Sequence, residues 1–199
     1  MKQDAWKAAQ TAFDIEIECL KGLKSSLDQK QFSYAVELLA HAQKIATSGC
    51  GHSGIVCQHL AHLLCCINRP ARFLYPSEAV HGASGFLQTG DVLVLASRGG
   101  KTEELLPLME IAKKNHIPII AMTENLESPL AKGSDVVLRL YVNRETDKYN
   151  CQGTTSTTAL CMLFHALQTA LIEETDFQLE QFALVHPGGA VGIRLKEYF

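Results

Sequence analysis

The segment that decides the fold is DVLVLASRGGKT, residues 91–102. Its first half, Asp91–Ala96, is a short run of β-prone aliphatic residues. Its second half, Ser97–Thr102, is a loop of small and polar residues that opens into a helical pattern. An aliphatic strand followed by such a loop and a helix is typical of a βαβ unit. The segment therefore predicts a parallel sheet with functional loops at the carboxyl ends of its strands.

The same alternation of short β-prone runs and helices extends to both sides of this segment. The predicted strands are Lys44–Ser48, Ala71–Tyr75, Asp91–Ala96, Ile117–Met122 and Asp135–Leu140. The predicted crossover helices are Ser53–Ile67, Thr102–Asn115, a short helix after Ser128, and Thr155–Glu173. Connections of this length indicate right-handed βαβ units, so we expect an α/β fold: a doubly wound, flavodoxin-like sheet of five parallel strands flanked by helices.

Two further helical segments, Trp6–Leu27 and Phe32–Ala42, precede the sheet as an N-terminal extension. The chain has 199 residues, of which 47% are hydrophobic, and this is enough for one well-filled core. We therefore expect a single domain over residues 1–199, with the N-terminal helices in 1–43 and the α/β sandwich in 44–199.

Composition argues against nucleic acid and membranes as partners. A net charge of −3 gives no general attraction for a phosphate backbone or an anionic membrane surface. The most apolar long stretch, Thr154–Ile172, contains His165 and Gln168, so we interpret it as a buried helix. The seven cysteines form no paired framework and the N-terminus has no secretory pattern, so we expect a cytoplasmic protein.

Three hydroxyl- and glycine-rich segments are expected at the same edge of the sheet: Ser48–Gly54, Ser97–Thr102 and Thr154–Thr158. Each opens a helix, where backbone N–H groups and the helix dipole favour a phosphate monoester. An ordinary βα turn capped by Thr102 is the alternative for the second segment. The candidate phosphate- and substrate-binding residues are Gly51, His52, Ser53, Ser97, Arg98, Gly100, Lys101, Thr102, Thr155, Ser156 and Thr157.

Further motifs follow one another in a recognisable order. They are Gly49–Gly54, Pro76–Gly82, Gly90–Glu104, Glu145, Thr154–Thr158 and His186–Gly189. Over essentially the whole chain this order resembles the arabinose 5-phosphate isomerases, which belong to the sugar isomerase (SIS) domain class. The His-Pro-Gly-Gly and Glu-Ala-x-His-Gly segments are the more specific parts, because phosphate loops occur in all SIS domains.

The resemblance implies interconversion of D-arabinose 5-phosphate and D-ribulose 5-phosphate through an enediol, without a cofactor or an obligatory metal. It places Glu104, Glu145, His81 and His186 on the family's acid–base positions, with Glu145 or Glu104 as the carbon base and His186 or His81 acting on the oxygens. Moving a proton between adjacent carbons needs such a base and acid. Taken alone, each residue also has a structural interpretation, such as favourable helix-dipole charge for Glu104.

Two positions depart from the family pattern. His52 stands where these isomerases usually carry Lys, and Lys101 stands where an acidic or small residue is usual. Arg98 and Lys101 could together replace the missing cation beside a phosphate. A 6-phospho-3-hexuloisomerase and a non-catalytic sugar-phosphate-binding SIS protein are the alternative functions, and the His-Pro-Gly-Gly segment favours the arabinose 5-phosphate isomerase.

The resemblance also implies a homo-oligomer, a dimer or homotetramer, with shared active sites to which His186 and His81 would cross from a neighbouring subunit. Because the sequence ends at Phe199, we expect a stand-alone SIS domain without the paired CBS regulatory domains of many members.

One more cluster of polar residues lies on the helix predicted at Ser53–Ile67. It contains His59, His62, Cys65 and Cys66, which could hold a metal ion. The leucines between these residues favour packing on the sheet instead, and no second ligand group with recognisable spacing accompanies them. No metal site is therefore expected.

Overall fold

The computed structural model describes residues 2–196 and 198, and in that part of the chain five parallel strands form one sheet. The strands are β1 Ile45–Gly49, β2 Ala71–Phe73, β3 Val92–Ala96, β4 Ile119–Thr123 and β5 Val136–Arg139. Their order, β2-β1-β3-β4-β5, is the doubly wound, flavodoxin-like order that the sequence predicts. Because β1 and β3 are hydrogen-bonded neighbours, the loops that follow them emerge side by side.

Helices cover both faces of this sheet. They are α1 Gln3–Ser26, α2 Gln29–His41, α3 Gly51–Cys65, α4 Pro76–Ala79, α5 Leu106–Lys114, α6 Pro129–Lys132, α7 Thr155–Glu174, α8 Leu179–Val185 and α9 Gly189–Lys196, with 3₁₀ turns at Ala83–Phe86 and Glu103–Leu105. Every helix predicted from the sequence is present. The unpredicted helices α4, α8 and α9 have at most eight residues each and bury few apolar side chains, so they leave little periodic signal.

The aliphatic residues of β3 divide between two cores, as alternation along a strand requires. Val92, Val94 and Ala96 pack in the core that α2, α3 and α7 cover, whereas Leu93 and Leu95 pack in the core under α5. Burial on both faces explains why this strand is apolar throughout.

Helix α7 is long and apolar enough to cross a membrane by length and composition alone. In this fold its side chains Phe164, Leu167 and Leu171 are fully buried in the core beside α3 and α2. The structure therefore accounts for α7 as the core helix that the sequence predicts.

Candidate active site

A cavity of about 300 Å³ opens beyond the carboxyl ends of β1 and β2. Its lining residues are Gly49, Cys50, Gly51, Gly54, Ile55, Gln58, Phe73, Tyr75, Pro76, Ser77 and Glu104. Gly54 lets α3 start directly against β1, because a Cβ at this position would lie 2.6 Å from the carbonyl oxygen of Gly49. The cavity thus lies where a doubly wound sheet binds small ligands.

Of the four predicted acid–base residues, Glu104 is the one that lines this cavity. It lies in the 3₁₀ turn that follows the Ser97–Thr102 loop, and its side chain is exposed. The thiol of Cys50 lines the same cavity, and its pKa is raised first by burial and then by the charge of Glu104. Glu104 therefore presents an accessible carboxylate beside a neutral thiol, which leaves the carboxylate open to a bound ligand.

The Ser97–Thr102 loop is ordered by its own hydroxyl groups. The Ser97 hydroxyl lies 2.8 Å from that of Thr102 and accepts a hydrogen bond from the backbone N–H of Gly100 at 3.1 Å. Gly100 has φ +65°, a conformation that favours glycine. Lys101 is exposed, and within the described residues it makes no ion pair. Among the cations predicted for phosphate, Lys101 is thus unengaged.

Arg98, the other predicted cation, is held between two carboxylates. Its Nε donates to Glu124 Oε2 at 2.8 Å, and its Nη1 donates to Glu145 Oε1 at 2.5 Å. The Arg98 side chain is 38% exposed, whereas that of Glu145 is 1% exposed. The guanidinium is therefore engaged within the protein, which weakens the prediction that Arg98 and Lys101 together replace the missing cation.

Glu145 is the most enclosed charged group of the site. Its Oε2 accepts hydrogen bonds from the backbone N–H groups of Thr154 at 2.9 Å and Ser156 at 3.2 Å, and from the Thr154 hydroxyl at 3.1 Å. Burial raises the pKa of Glu145, but the hydrogen bonds from Ser156 and Thr154 and the charge of Arg98 outweigh it and lower the pKa below its usual value. Glu145 is therefore a fixed anion that is buried within the protein, not a charge in solvent.

The N-terminus of α7 binds this internal carboxylate, as helix N-termini bind other anions. The Thr157 hydroxyl donates to the carbonyl oxygen of Gly153 at 2.5 Å, and the buried Thr155 hydroxyl has no partner among the described residues. A phosphate role for Thr155, Ser156 and Thr157 stays a prediction.

The first predicted phosphate loop approaches the same helix start. A Cβ at Gly153 would lie 2.9 Å from Nδ1 of His52, so the His52 ring lies against this glycine. The structure thus brings Gly51, His52 and Ser53 to the edge of the sheet that also carries Glu104.

The two predicted catalytic histidines lie away from the cavity. His81 is exposed, two residues beyond α4, and is not among the lining residues. His186 ends α8 and borders a second cavity of about 530 Å³, together with His62 of α3 and Gln168 of α7. Since a helix rises 1.5 Å per residue, His62 lies about 16 Å along α3 from Gly51. His62 borders the same cavity as His186, and Gly51 lines the same cavity as Glu104. A single chain therefore does not bring His186 to Glu104.

Several residues of this edge were not predicted: Cys50, Tyr75, Ser77 and Glu124. Glu124 directly follows β4, and the carboxyl ends of parallel strands share one edge of the sheet. Glu124 could therefore have been identified as a polar residue directly after a predicted strand. Tyr75 and Ser77 flank Pro76, where the sequence gives no chemical signal beyond the family motif.

Comparison with known proteins agrees with this architecture. The SIS domain profile matches residues 38–170. Arabinose 5-phosphate isomerase KdsD of Francisella tularensis subsp. tularensis is 37% identical over 191 residues, which cover 94% of this chain and 58% of that relative. The Pseudomonas aeruginosa KdsD is 36% identical over 188 residues, with the same two coverages. The chain thus spans little more than half the length of these curated relatives.

Two solved structures match almost the whole chain. A Listeria monocytogenes chain described as a sugar-phosphate isomerase has a TM-score of 0.91 at 36% identity, covering 94% of this chain and 100% of that one. The E. coli CFT073 protein c3406, in complex with A5P, has a TM-score of 0.88 at 28% identity, with the same coverages. From its sheet order, its strand-end loops and these matches, the chain belongs to the SIS domain family.

Proposed function

We propose that the chain is a phosphosugar isomerase that interconverts an aldose phosphate and a ketose phosphate, namely D-arabinose 5-phosphate and D-ribulose 5-phosphate. The observation that carries the proposal is the exposed carboxylate of Glu104 in a small cavity at the sheet edge. The substrate follows from the curated relatives, which are named arabinose 5-phosphate isomerases, and from the A5P complex of c3406.

The reaction requires a base that can reach carbon. In this proposal Glu104 removes the proton from C2 of the open-chain aldose, the electron pair forms the enediol, and the returning proton at C1 gives the ketose. Glu145 is the weaker candidate, because its lowered pKa and its four hydrogen bonds leave it a poor proton acceptor. We assign Glu145 to positioning Arg98 and the α7 N-terminus, and Lys101 to the phosphate.

The oxygens need an acid, and the predicted donors are His186 and His81. His186 lies in another cavity of its own chain, so its use requires a second subunit. Helices α8 and α9 expose apolar side chains, with Leu184 at 83% and Ile193 at 65%, and α1 exposes Phe13 at 71%. We propose a homo-oligomer that covers these residues and supplies His186 to the neighbouring cavity.

A substrate panel tests the function. Purified protein is incubated with arabinose 5-phosphate, ribulose 5-phosphate and 6-phospho-3-hexulose, and the products are separated by chromatography. Interconversion of the pentose phosphates supports the proposal, and turnover of the hexulose phosphate alone supports the alternative isomerase. Binding without turnover identifies a sugar-phosphate-binding protein.

Subunit exchange tests the shared site. If Glu104→Gln and His186→Ala homodimers are each inactive, random exchange should make about half the dimers mixed, each with one intact site. This arithmetic gives roughly a quarter of wild-type activity. No recovery, after labelling has shown that subunits exchanged, contradicts the shared site.

The proposed compartment is the cytoplasm. All seven cysteines are free thiols in the described part of the chain, as suits a reducing environment. A fusion to a reporter that fluoresces in one compartment only would test this assignment.

A further inference from the structure

Helices α3 and α7 bring three metal-ligating side chains together: His59 of α3 with Cys161 and His165 of α7. Their ligand atoms all lie within 4.8 Å of one another. Nε2 of His59 is 3.3 Å from Nε2 of His165, and Sγ of Cys161 is 3.5 Å from the same nitrogen. Both histidines are exposed, so an ion can enter from solvent.

These separations fit a tetrahedral ion. Zinc–nitrogen bonds of about 2.0–2.1 Å and zinc–sulfur bonds of about 2.3 Å place two nitrogens about 3.3 Å apart and a nitrogen and a sulfur about 3.6 Å apart. Two edges of the cluster already have these lengths. The third edge, between His59 and Cys161, is at most 4.8 Å long.

We propose that His59, Cys161 and His165 bind a divalent ion of the zinc class, with water in the fourth position. One thiolate and two imidazoles suit zinc and its borderline neighbours, whereas magnesium and calcium take oxygen ligands. On binding, the Cys161 S–H bond breaks, a sulfur–metal bond forms, and the proton goes to water.

The site is separate from the sugar cavity. His59 lies about 12 Å along α3 from Gly51, at 1.5 Å rise per residue. The ion would join the two helices whose N-termini border the candidate active site. Of the four α3 residues considered in the sequence analysis, this ligand set includes only His59. Cys161 and His165 lie on α7, and the spacing of residues along α3 carries no information about a second helix. Of those four, His62 contacts Cys66 at 3.7 Å, and Cys65 bonds to the carbonyl oxygen of Ala71 at 3.4 Å.

Cobalt(II) is the probe, because a thiolate ligand gives a sulfur-to-cobalt charge-transfer band in the near ultraviolet and a tetrahedral site gives strong visible bands. Metal-free, reduced protein should bind one equivalent with both features, and zinc should displace it. Cys161→Ser should abolish the charge-transfer band, whereas Cys151→Ser, which removes an exposed thiol elsewhere, should keep it.

Zinc affinity, measured by competition with a chromophoric chelator, gives the second readout. His165→Ala and His59→Asn should each weaken binding by more than about 100-fold, since even residues behind the ligands contribute 10–100-fold. The exposed His41→Ala is the matched control, and thermal unfolding of the metal-free variants checks their fold. The proposal is overturned if wild type shows no charge-transfer band or if Cys161→Ser retains it. Visible cobalt bands without a sulfur-to-cobalt charge-transfer band would place the ion on other histidines and also overturn the proposal.

Discussion

Replacing Glu145 by Gln should destabilise the protein, although Gln has nearly the same shape. The Gln amide group must face either Nη1 of Arg98 or the N–H groups of Thr154 and Ser156, and all of these are donors. Hydrogen bonds to charged groups contribute about 1.5–3 kcal/mol each. Arg98 is 38% exposed and keeps its ion pair with Glu124, so solvent screens part of the effect of losing the Glu145 carboxylate. We expect the free energy of unfolding to fall by about 2–4 kcal/mol at pH 7.

Urea unfolding followed by circular dichroism measures this loss, with Glu124→Gln as the matched control. Glu124 also binds Arg98 but is 38% exposed, so its replacement should cost less than about 1 kcal/mol. The folded-state pKa of Glu145 lies below the usual 4.5, so its contribution is complete above that value and disappears as the pH falls through the folded pKa. The difference between wild type and Glu145→Gln should therefore narrow in acid. Equal costs for the two variants, or a difference that widens in acid, would refute this reasoning.

Three further predictions concern the loops and the thiols. Gly100→Ala should lower the free energy of unfolding by at least about 1–3 kcal/mol in a urea titration, because its φ is +65° and a Cβ would overlap the Ser128 hydroxyl, whereas Gly99→Ala meets open space and should cost little. Lys101→Ala should weaken the binding of arabinose 5-phosphate, measured by calorimetry, about tenfold without changing the binding of arabinose. Adding His52→Lys to this variant should restore part of the lost affinity. Equal losses of affinity for both sugars would show that Lys101 does not bind the phosphate. In the native protein a thiol reagent should label the exposed Cys65 and Cys151 well before Cys57, whose pKa is raised by burial, and early labelling of Cys57 in mass spectra would contradict its place in the core.

The sheet was predictable because its signal is local. The predicted Lys44–Ser48 and observed Ile45–Gly49 differ by one residue at each end, since a buried aliphatic run defines its own limits. The prediction extended β2 to Tyr75, whereas the structure ends the strand at Phe73 and uses Tyr75 to start α4. Pro76 at the first helical position explains the difference.

The site was predictable only in part, because contacts between residues far apart in the chain leave no regular spacing in the sequence. The family motif led to Glu104, which does line the cavity. Arg98 and Glu145 are 47 residues apart, and no periodic pattern joins them. From the sequence, Arg98 is predicted to bind the phosphate and Glu145 is a candidate carbon base. Their mutual contact, and the burial that makes it strong, arise only when β5 brings the following loop to the edge that carries Ser97–Thr102.

Proton exchange with solvent tests the central claim most directly. Arabinose 5-phosphate is incubated with the protein in D₂O and followed by NMR, with Glu104→Gln as the comparison. Wild type should form ribulose 5-phosphate carrying deuterium at C1, and arabinose 5-phosphate should gain deuterium at C2. Glu104→Gln should still bind the sugar but exchange neither position. Bound sugar without exchange in wild type, or full exchange in Glu104→Gln, would contradict this claim.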